Sequence, residues 1–415
     1  MEMNATAPMP LTRAHAQRLD AEDPLAAFRE RFVDLKDGAL YMDGNSLGRQ
    51  PRETRERVAA VLDAWRDELI IAWREWIKVP RRIGDLIGAS VLEARPGEVV
   101  VGDSTSVDLY KAVAAAIGAQ PGRRTLVTSD DNFPTDLYVL QSLAAQHGLA
   151  LKVLRADPVE GLDLDVLRAA LDDDVALLAL SHVAYRSGAL LDMAQVTRLA
   201  HDRGALVLWD VSHSAGSVQV PLESSGADLA VGCTYKYLNG GPGAPAFVYV
   251  RTAHQQRLRQ PLWGWFGHRR QFEMADSFEP AEGIESFLVG IPAILSTVAI
   301  EPGVRGIAEA GIERLQAKGR QLTELIVALA DAWLAPHGFH VASPRAAARR
   351  GSHVTLRHPG AKDFVRALIA QGVTPDFRPP DMIRLGPAPL YTRFVDVWDA
   401  MDRLRGLCEA RARPA

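Results

Sequence analysis

Two residues with complementary chemistry stand at the ends of successive apolar runs. Lys236 closes Ala230-Val-Gly-Cys-Thr-Tyr-Lys236, and the chain then turns through Tyr-Leu-Asn-Gly-Gly-Pro-Gly243. Asp210 closes Val207-Leu-Trp-Asp210, with His213 shortly beyond it. A lysine beside a glycine turn is by default a loop charge, but one packed against an apolar wall can serve as an amine nucleophile or base. A carboxylate on the neighbouring strand end completes what pyridoxal phosphate (PLP) demands. The lysine forms a Schiff base, and the acid keeps the pyridinium nitrogen protonated so that the ring can accept electrons. The pair points to a PLP site.

Further groups fit around that pair. Gly102-Asp-Ser104-Thr105-Ser-Val places hydroxyls where a strand gives way to a helix. Free N–H groups at a helix start, helped by the macrodipole, hold a phosphate, and Ser and Thr add donors. The same residues also make an ordinary N-cap, and only the company of Lys236 and Asp210 favours the phosphate. His213 could contact the cofactor ring or orient the acid, and could equally be structural. Tyr235 points away from Lys236 in an extended chain, yet at a turn it could reach the phosphate or donate a proton. Arg384, within Met382-Ile-Arg-Leu385, offers a planar fork suited to a substrate carboxylate. Trp263-Gly-Trp265-Phe-Gly-His268 has the aromatic density of an interface or a pocket. No dinucleotide or nucleoside-triphosphate glycine loop is present, and the 11 histidines show no convincing metal spacing, so no metal is expected.

These residues need a scaffold. Strands are expected at 99–103, 125–129, 151–154, 175–181, 205–210, 229–232 and 246–250, and helices at 107–117, 136–147, 164–171 and 193–203. The alternation predicts an α/β fold, a mostly parallel sheet covered on both faces, with ligands at the carboxyl ends of its strands. Beyond residue 300 come long helices (304–333, 362–371, 394–407) and short strands around 353–357, 373–375 and 382–385, a small α+β domain with an exposed loop at 343–351. The division expected is an N-terminal arm over 1–50, a large PLP-binding domain over 51–300 and a small C-terminal domain over 301–415. Within 51–77, Trp65, Trp73 and Trp76 at near-helical spacing read as core or subunit interface.

Bulk properties narrow the partners. In 415 residues, 47 basic side chains face 51 acidic ones, a net charge of −4 without long single-sign blocks, which speaks against nucleic acid or an anionic membrane surface. Cys233 and Cys408 have neither pairing nor metal spacing, as suits a reducing compartment. The first 23 residues lack signal-peptide character, and the longest apolar run, 286–300, is short and holds Gly290 and Pro292. A soluble, cytoplasmic chain is expected, with a frayed end over 410–415.

Taken together, the chain resembles the kynureninase family of fold type I, aspartate-aminotransferase-like PLP enzymes. The resemblance rests on Gly44-Asn-Ser-Leu-Gly48, Phe133-Pro-Thr-Asp136, Asp210-x-x-His213, Tyr235-Lys-Tyr-Leu-Asn239, Gly264-Trp-Phe-Gly-His268 and Arg384-x-x-Pro-x-Pro-Leu-Tyr391. It implies that Lys236 carries the cofactor, Asp210 pairs with the pyridine nitrogen and Phe133 stacks on the ring. Ser104, Thr105, Pro134, Thr135, Asp136, Ser181, His213 and Tyr235 would line the cofactor pocket, and Ile291 is counted with them. In the family the tryptophan of Trp-Phe-Gly-His reaches the phosphate from a second subunit, so Trp265 implies a homodimer with shared sites. Arg384 would hold the substrate carboxylate.

The implied reaction is hydrolysis of the Cβ–Cγ bond of L-kynurenine to anthranilate and L-alanine, a step of tryptophan catabolism that also feeds NAD biosynthesis. Lys236 would move the Cα proton and Tyr235 is a candidate proton relay, while the base for water is unassigned. Gly290-Ile291-Pro292 is apolar where some family members carry a polar residue, and no histidine occurs between His15 and His147. Both departures favour kynurenine over 3-hydroxykynurenine. Two rival readings are a desulfurase or aminotransferase on the same fold, and a non-catalytic PLP sensor. The first rival needs a mobile loop cysteine if a desulfurase, and the second an added DNA-binding domain.

Overall fold

The apolar runs of the first half form one seven-stranded sheet in the computed structural model, which describes residues 10–412. Its strands are β1 (Val99–Val101), β2 (Thr125–Ser129), β3 (Ala150–Leu154), β4 (Val175–Ser181), β5 (Leu206–Asp210), β6 (Leu229–Gly232) and β7 (Phe247–Val250). The spatial order is β1-β7-β6-β5-β4-β2-β3. Only β7 runs antiparallel to its neighbours; the other pairings are parallel. Every strand but the edge strand β3 is buried along its whole length. That is why these strands read as continuous apolar runs rather than as alternating ones. Along β5, Val207 and Trp209 pack into one core layer with Ile83 and Ile300, while Leu206 and Leu208 face Leu109 and Val113 in the other.

Register brings the chemistry together. Ser181 pairs with Asp210, and Asp210 with Val231, so the serine and the acid end side by side just where β6 leads toward Lys236. Helices Thr105–Ala119, Pro134–His147, Leu164–Ala170 and Met193–His201 connect the strands, as the alternation predicts.

The C-terminal part holds a four-stranded antiparallel sheet of β8 (His340–Val341), β9 (Val354–Arg357), β10 (Asp376–Arg378) and β11 (Met382–Leu385), in the order β10-β11-β9-β8. Several expectations need correction here. The long helix foreseen over 304–333 is broken at Gly311, whose φ of 80° suits glycine, giving Glu301–Ala310 and Ile312–Leu329. Val373–Thr374 does not join the small sheet but pairs in parallel with Leu40–Tyr41. The N-terminal arm thus packs onto the C-terminal part: Asp20 accepts from the backbone N–H of Phe394 and Val395, and Arg13 pairs with Asp399 at 2.7 Å. The 343–351 loop is exposed only in its middle, since Ser343 and Arg350 are buried and Arg350 pairs with Glu324 at 2.7 Å. Residues 410–412 continue the helix Phe394–Ala412 rather than fraying, and 413–415 lie outside the described residues. Among the described residues no helix is long and apolar enough to cross a membrane, and no cluster of His, Cys, Asp and Glu suits a metal.

Candidate active site

Beyond β6 the chain crosses the carboxyl end of the sheet as Cys233–Lys236 and folds back on itself. Thr234 Oγ1 donates to the Pro245 carbonyl at 2.6 Å, Asn239 N to the Lys236 carbonyl at 2.9 Å, and Gly240 N to the Thr234 carbonyl at 2.9 Å. Asn239 takes the left-handed φ of 58° that this turn requires, which asparagine tolerates. Gly48 presses on the same turn: its N–H donates to the Tyr235 carbonyl at 2.8 Å, and a Cβ there would lie 2.8 Å from Asn239 Cα and closer still to the Lys236 carbonyl oxygen. The glycine of Gly44-Asn-Ser-Leu-Gly48 is therefore a close-approach residue for the lysine loop.

Lys236 Nζ lies 3.2 Å from His213 Nε2, 6.0 Å from the centroid of the Phe133 ring and 5.9 Å from that of Tyr235. His213 is buried, and its ring centroid is 5.7 Å from that of His353. Burial, then the positive charge of Lys236, holds His213 well below the usual imidazole range, so it stays neutral and accepts from the lysine. Asp210 Oδ1 accepts from Ser212 N at 2.7 Å. Asp136, on the helix that Phe133 caps, faces Asp210. Burial first, and the charge of Asp210 second, raise the Asp136 carboxyl well above the usual range, and its Oδ2 is buried without a partner. Burial also pushes the Tyr235 phenol up, so it keeps its proton.

The phosphate-type end is built by the start of helix Thr105–Ala119. Ser104 is extended and caps it, accepting from Val107 N at 3.4 Å. Lys111 braces this turn from behind. Its buried Nζ lies 2.7 Å from carboxylate oxygens of both Asp103 and Asp108 and donates to the Phe287 carbonyl at 2.7 Å. At the end of β4, Ser181 N donates to Asn132 Oδ1 at 2.8 Å.

These elements enclose one cavity of about 180 Å³ lined by Ser104, Thr105, Phe133, Thr135, Asp136, Ser181, Asp210, His213, Tyr235 and Lys236. Ser106, Val183, Tyr185, Ser212, Ala244 and Ala246 complete it and were not foreseen in the sequence, although Ser212 lies inside the Asp-x-x-His motif. PLP fits this donor set. Hydroxyls and free N–H groups stand at the helix start, an aromatic ring and a lysine amine flank the space, and the orphaned acceptor on Asp136 stands beside Asp210 to support a buried cationic N–H.

Four of the expected residues lie off this cavity. Pro134 occupies the first turn of its helix, where its fixed φ suits the helix start, so it shapes the segment without lining the space. Trp265 and Ile291 are 38% and 61% exposed, held on one surface segment by the bond from Phe266 N to the Val289 carbonyl at 3.0 Å. Arg384 is 1% exposed and turned toward Tyr185, whose carbonyl accepts from its Nη1 at 2.7 Å.

Comparison with known proteins gives the family. The family described as Kynureninase C-terminal domain matches residues 315–404. The kynureninase of Burkholderia pseudomallei is 44% identical over 409 residues, covering 97% of this chain and 96% of that one. The chain belongs to the kynureninase family. The kynureninase of Pseudomonas fluorescens is 43% identical over 402 residues, covering 95% and 94%. Membership makes the chain a PLP-dependent hydrolase of carbon–carbon bonds.

Solved structures share the fold at much lower identity. A cysteine desulfurase from Thermococcus onnurineus has a TM-score of 0.78 at 20% identity, covering 92% of this chain and 98% of that one. A C-DES variant with glycine covalently linked to its PLP cofactor has a TM-score of 0.78 at 18% identity, covering 91% and 98%. Both are similar in fold type I architecture. A kynureninase-family chain has no use for a desulfurase cysteine, and Cys233 is buried with its thiol pushed up, while Cys408 is buried in the C-terminal helix.

Proposed function

We propose that this kynureninase-family chain cleaves the Cβ–Cγ bond of L-kynurenine by hydrolysis, releasing anthranilate and L-alanine. One observation carries the reading: Lys236, Asp210, Asp136 and His213 converge in a single cavity at the carboxyl end of the sheet. PLP, when bound, supplies an electron sink for the carbon that loses its proton. Lys236 would hold the cofactor covalently, and its free amine would move the proton at Cα. Asp210 keeps the ring nitrogen protonated, and the raised carboxyl of Asp136 retains its own proton, so the pair presents one negative charge rather than two. Neutral His213 steers the lysine without adding a competing cation. Phe133 would pack on the cofactor ring, Ser104 and Thr105 would take its phosphate, Ser181 would border the ring, and Tyr235 would act as a proton donor. Arg384, from a small domain that begins near residue 301, takes the substrate carboxylate.

A homodimer belongs to the same reading. Trp65, Leu69, Ile70 and Ile71 are exposed, Ile70 to 77%, beside an apolar groove formed by Trp73, Trp76, Pro292 and Ile294. An apolar surface of this extent suits a second copy, whose Trp265 and Ile291 would then approach the cavity from across the interface. An apolar Ile291 at the substrate ring favours kynurenine over 3-hydroxykynurenine. A cytoplasmic place in tryptophan catabolism belongs to the same reading. The test is to incubate the purified protein with L-kynurenine and PLP and follow anthranilate fluorescence. Fluorescence that grows with enzyme concentration supports the proposal, and its absence with fully loaded protein refutes it.

A further inference from the structure

Arg384 is buried among partners from three segments, and their chemistry is informative. Its Nη1 donates to the Tyr185 carbonyl at 2.7 Å, and its Nη2 to Ser46 Oγ at 2.8 Å. Nη2 also pairs with Asp376 Oδ2 at 2.8 Å, while Asp43 stands off at 4.0 Å. Asn45, its amide oriented to satisfy both neighbours, accepts from Nε at 2.9 Å. A guanidinium has five N–H groups; three are hydrogen-bonded, to Tyr185, Ser46 and Asn45, and Asp376 lies against the same Nη2 as an ion pair. A substrate carboxylate gripped at Nη2 would meet the Asp376 carboxylate already held there, and is seated only when that partner moves aside.

Asp376 is the partner with the ligand's own chemistry. It sits on β10 directly opposite Arg384 on β11, so the pairing is built into the register of the small sheet. It also has somewhere to stay when displaced, because the same Oδ2 accepts from Arg378 Nε at 2.6 Å. Tyr185 and Ser46 are neutral and offer no such exchange of one carboxylate for another.

We propose that Asp376 occupies the carboxylate seat of Arg384 in the substrate-free enzyme and sets substrate affinity by competing for it, with Arg378 holding Asp376 once the substrate carboxylate arrives. This rests on the reading of Arg384 as the carboxylate-binding residue given above. Asp376 is in this sense a positioning residue that acts through Arg384. The competition lowers apparent affinity by the fraction of enzyme whose seat is free, and removing the competitor restores that factor.

The experiment uses PLP-loaded enzyme, with KM and kcat for L-kynurenine read from anthranilate fluorescence and thermal midpoints confirming that each variant is folded. The decarboxylated analogue of kynurenine, which keeps the amine and the ketone, is titrated as a competitive inhibitor. Asp376→Asn should lower KM by about threefold or more, while the inhibition constant of the analogue stays put. Arg378→Met, which leaves Asp376 wholly to Arg384, should raise KM. Asp376→Glu keeps the charge and should not lower KM. A general loss of local structure would raise KM in both Asp376→Asn and Arg378→Met, so the opposite signs are diagnostic. An unchanged or raised KM in folded Asp376→Asn overturns the proposal. Arg384→Met tests the underlying reading separately. Should it weaken kynurenine no more than the analogue, Arg384 does not bind the carboxylate and both readings fall.

Discussion

Gly48→Ala tests whether the N-terminal arm sets the position of the catalytic lysine. The added Cβ would sit 2.8 Å from Asn239 Cα and nearer still to the Lys236 carbonyl oxygen, whereas real Cβ contacts essentially never fall below 3.0 Å. Both neighbours are parts of one tight turn, so neither can rotate away as a flexible side chain would. The arm or the lysine loop must move by several tenths of an ångström, and the bond from Gly48 N to the Tyr235 carbonyl stretches with it. Overpacking of this kind costs about 1–3 kcal/mol. A misplacement near 1 Å can cost roughly 100-fold in rate, so a smaller shift should lower kcat about tenfold. Gly118→Ala is the control, since its Cβ meets nothing within 4 Å and it lies in a helix where alanine is favoured. The assay is kcat by anthranilate fluorescence, with the thermal midpoint and PLP affinity measured on the same preparations. A Gly48→Ala enzyme with the wild-type kcat and midpoint would refute the close-approach argument.

Other consequences are equally checkable. Asp210→Ala removes the charge that supports the ring nitrogen, so kcat should fall by at least 100-fold, on the order of a lost charge-stabilising group; a variant with near-normal turnover would assign that role to Asp136 instead. Asp228 accepts from both His201 and His254 at 2.8 and 2.7 Å, and its carboxyl is held at about 2 although burial alone would raise it. A depressed carboxyl contributes stability above its unfolded pKa of 3.8 and loses it as pH falls toward the folded value, a contribution of about 2 kcal/mol at neutral pH. The gap in thermal midpoint between wild type and Asp228→Asn should therefore narrow as pH drops from about 5 to about 3; a pH-independent gap would contradict this. Kynurenine should show a higher kcat/KM than 3-hydroxykynurenine, because an unmatched buried hydroxyl costs about 1–3 kcal/mol. Ile291→Asn should narrow the difference, and equal efficiency with both substrates in the wild type would sink the argument.

Much of this site was legible in the chain because burial on two faces leaves a plain pattern. β4, β5 and β6 read as apolar runs, and the polar residues that end β4 and β5 mark the carboxyl edge of the sheet. Asp210 could be placed that way, Ser181 came only through the family resemblance, and the glycine-rich turn after Lys236 marked where its strand must end. Asp136 was available only through the Phe133-Pro-Thr-Asp136 motif, since a carboxylate two residues into a helix looks like an ordinary dipole partner. The role of Gly48 was invisible, because close approach of two backbones distant in sequence leaves no local signal. Asp376 and Arg378 were missed for a related reason. Their strand is three residues long at a sheet edge, and its charges look solvated until its register sets Asp376 opposite Arg384. The break at Gly311 was missed because apolar spacing continues on both sides of it.

The most direct test of the central claim is chemical. PLP-loaded protein is reduced with borohydride and digested, and the pyridoxyl adduct is located by mass spectrometry. The account predicts a single adduct on the peptide containing Lys236, lost in Lys236→Ala, which should still fold and bind PLP without a covalent bond. An adduct on any other lysine of the wild-type chain would contradict it.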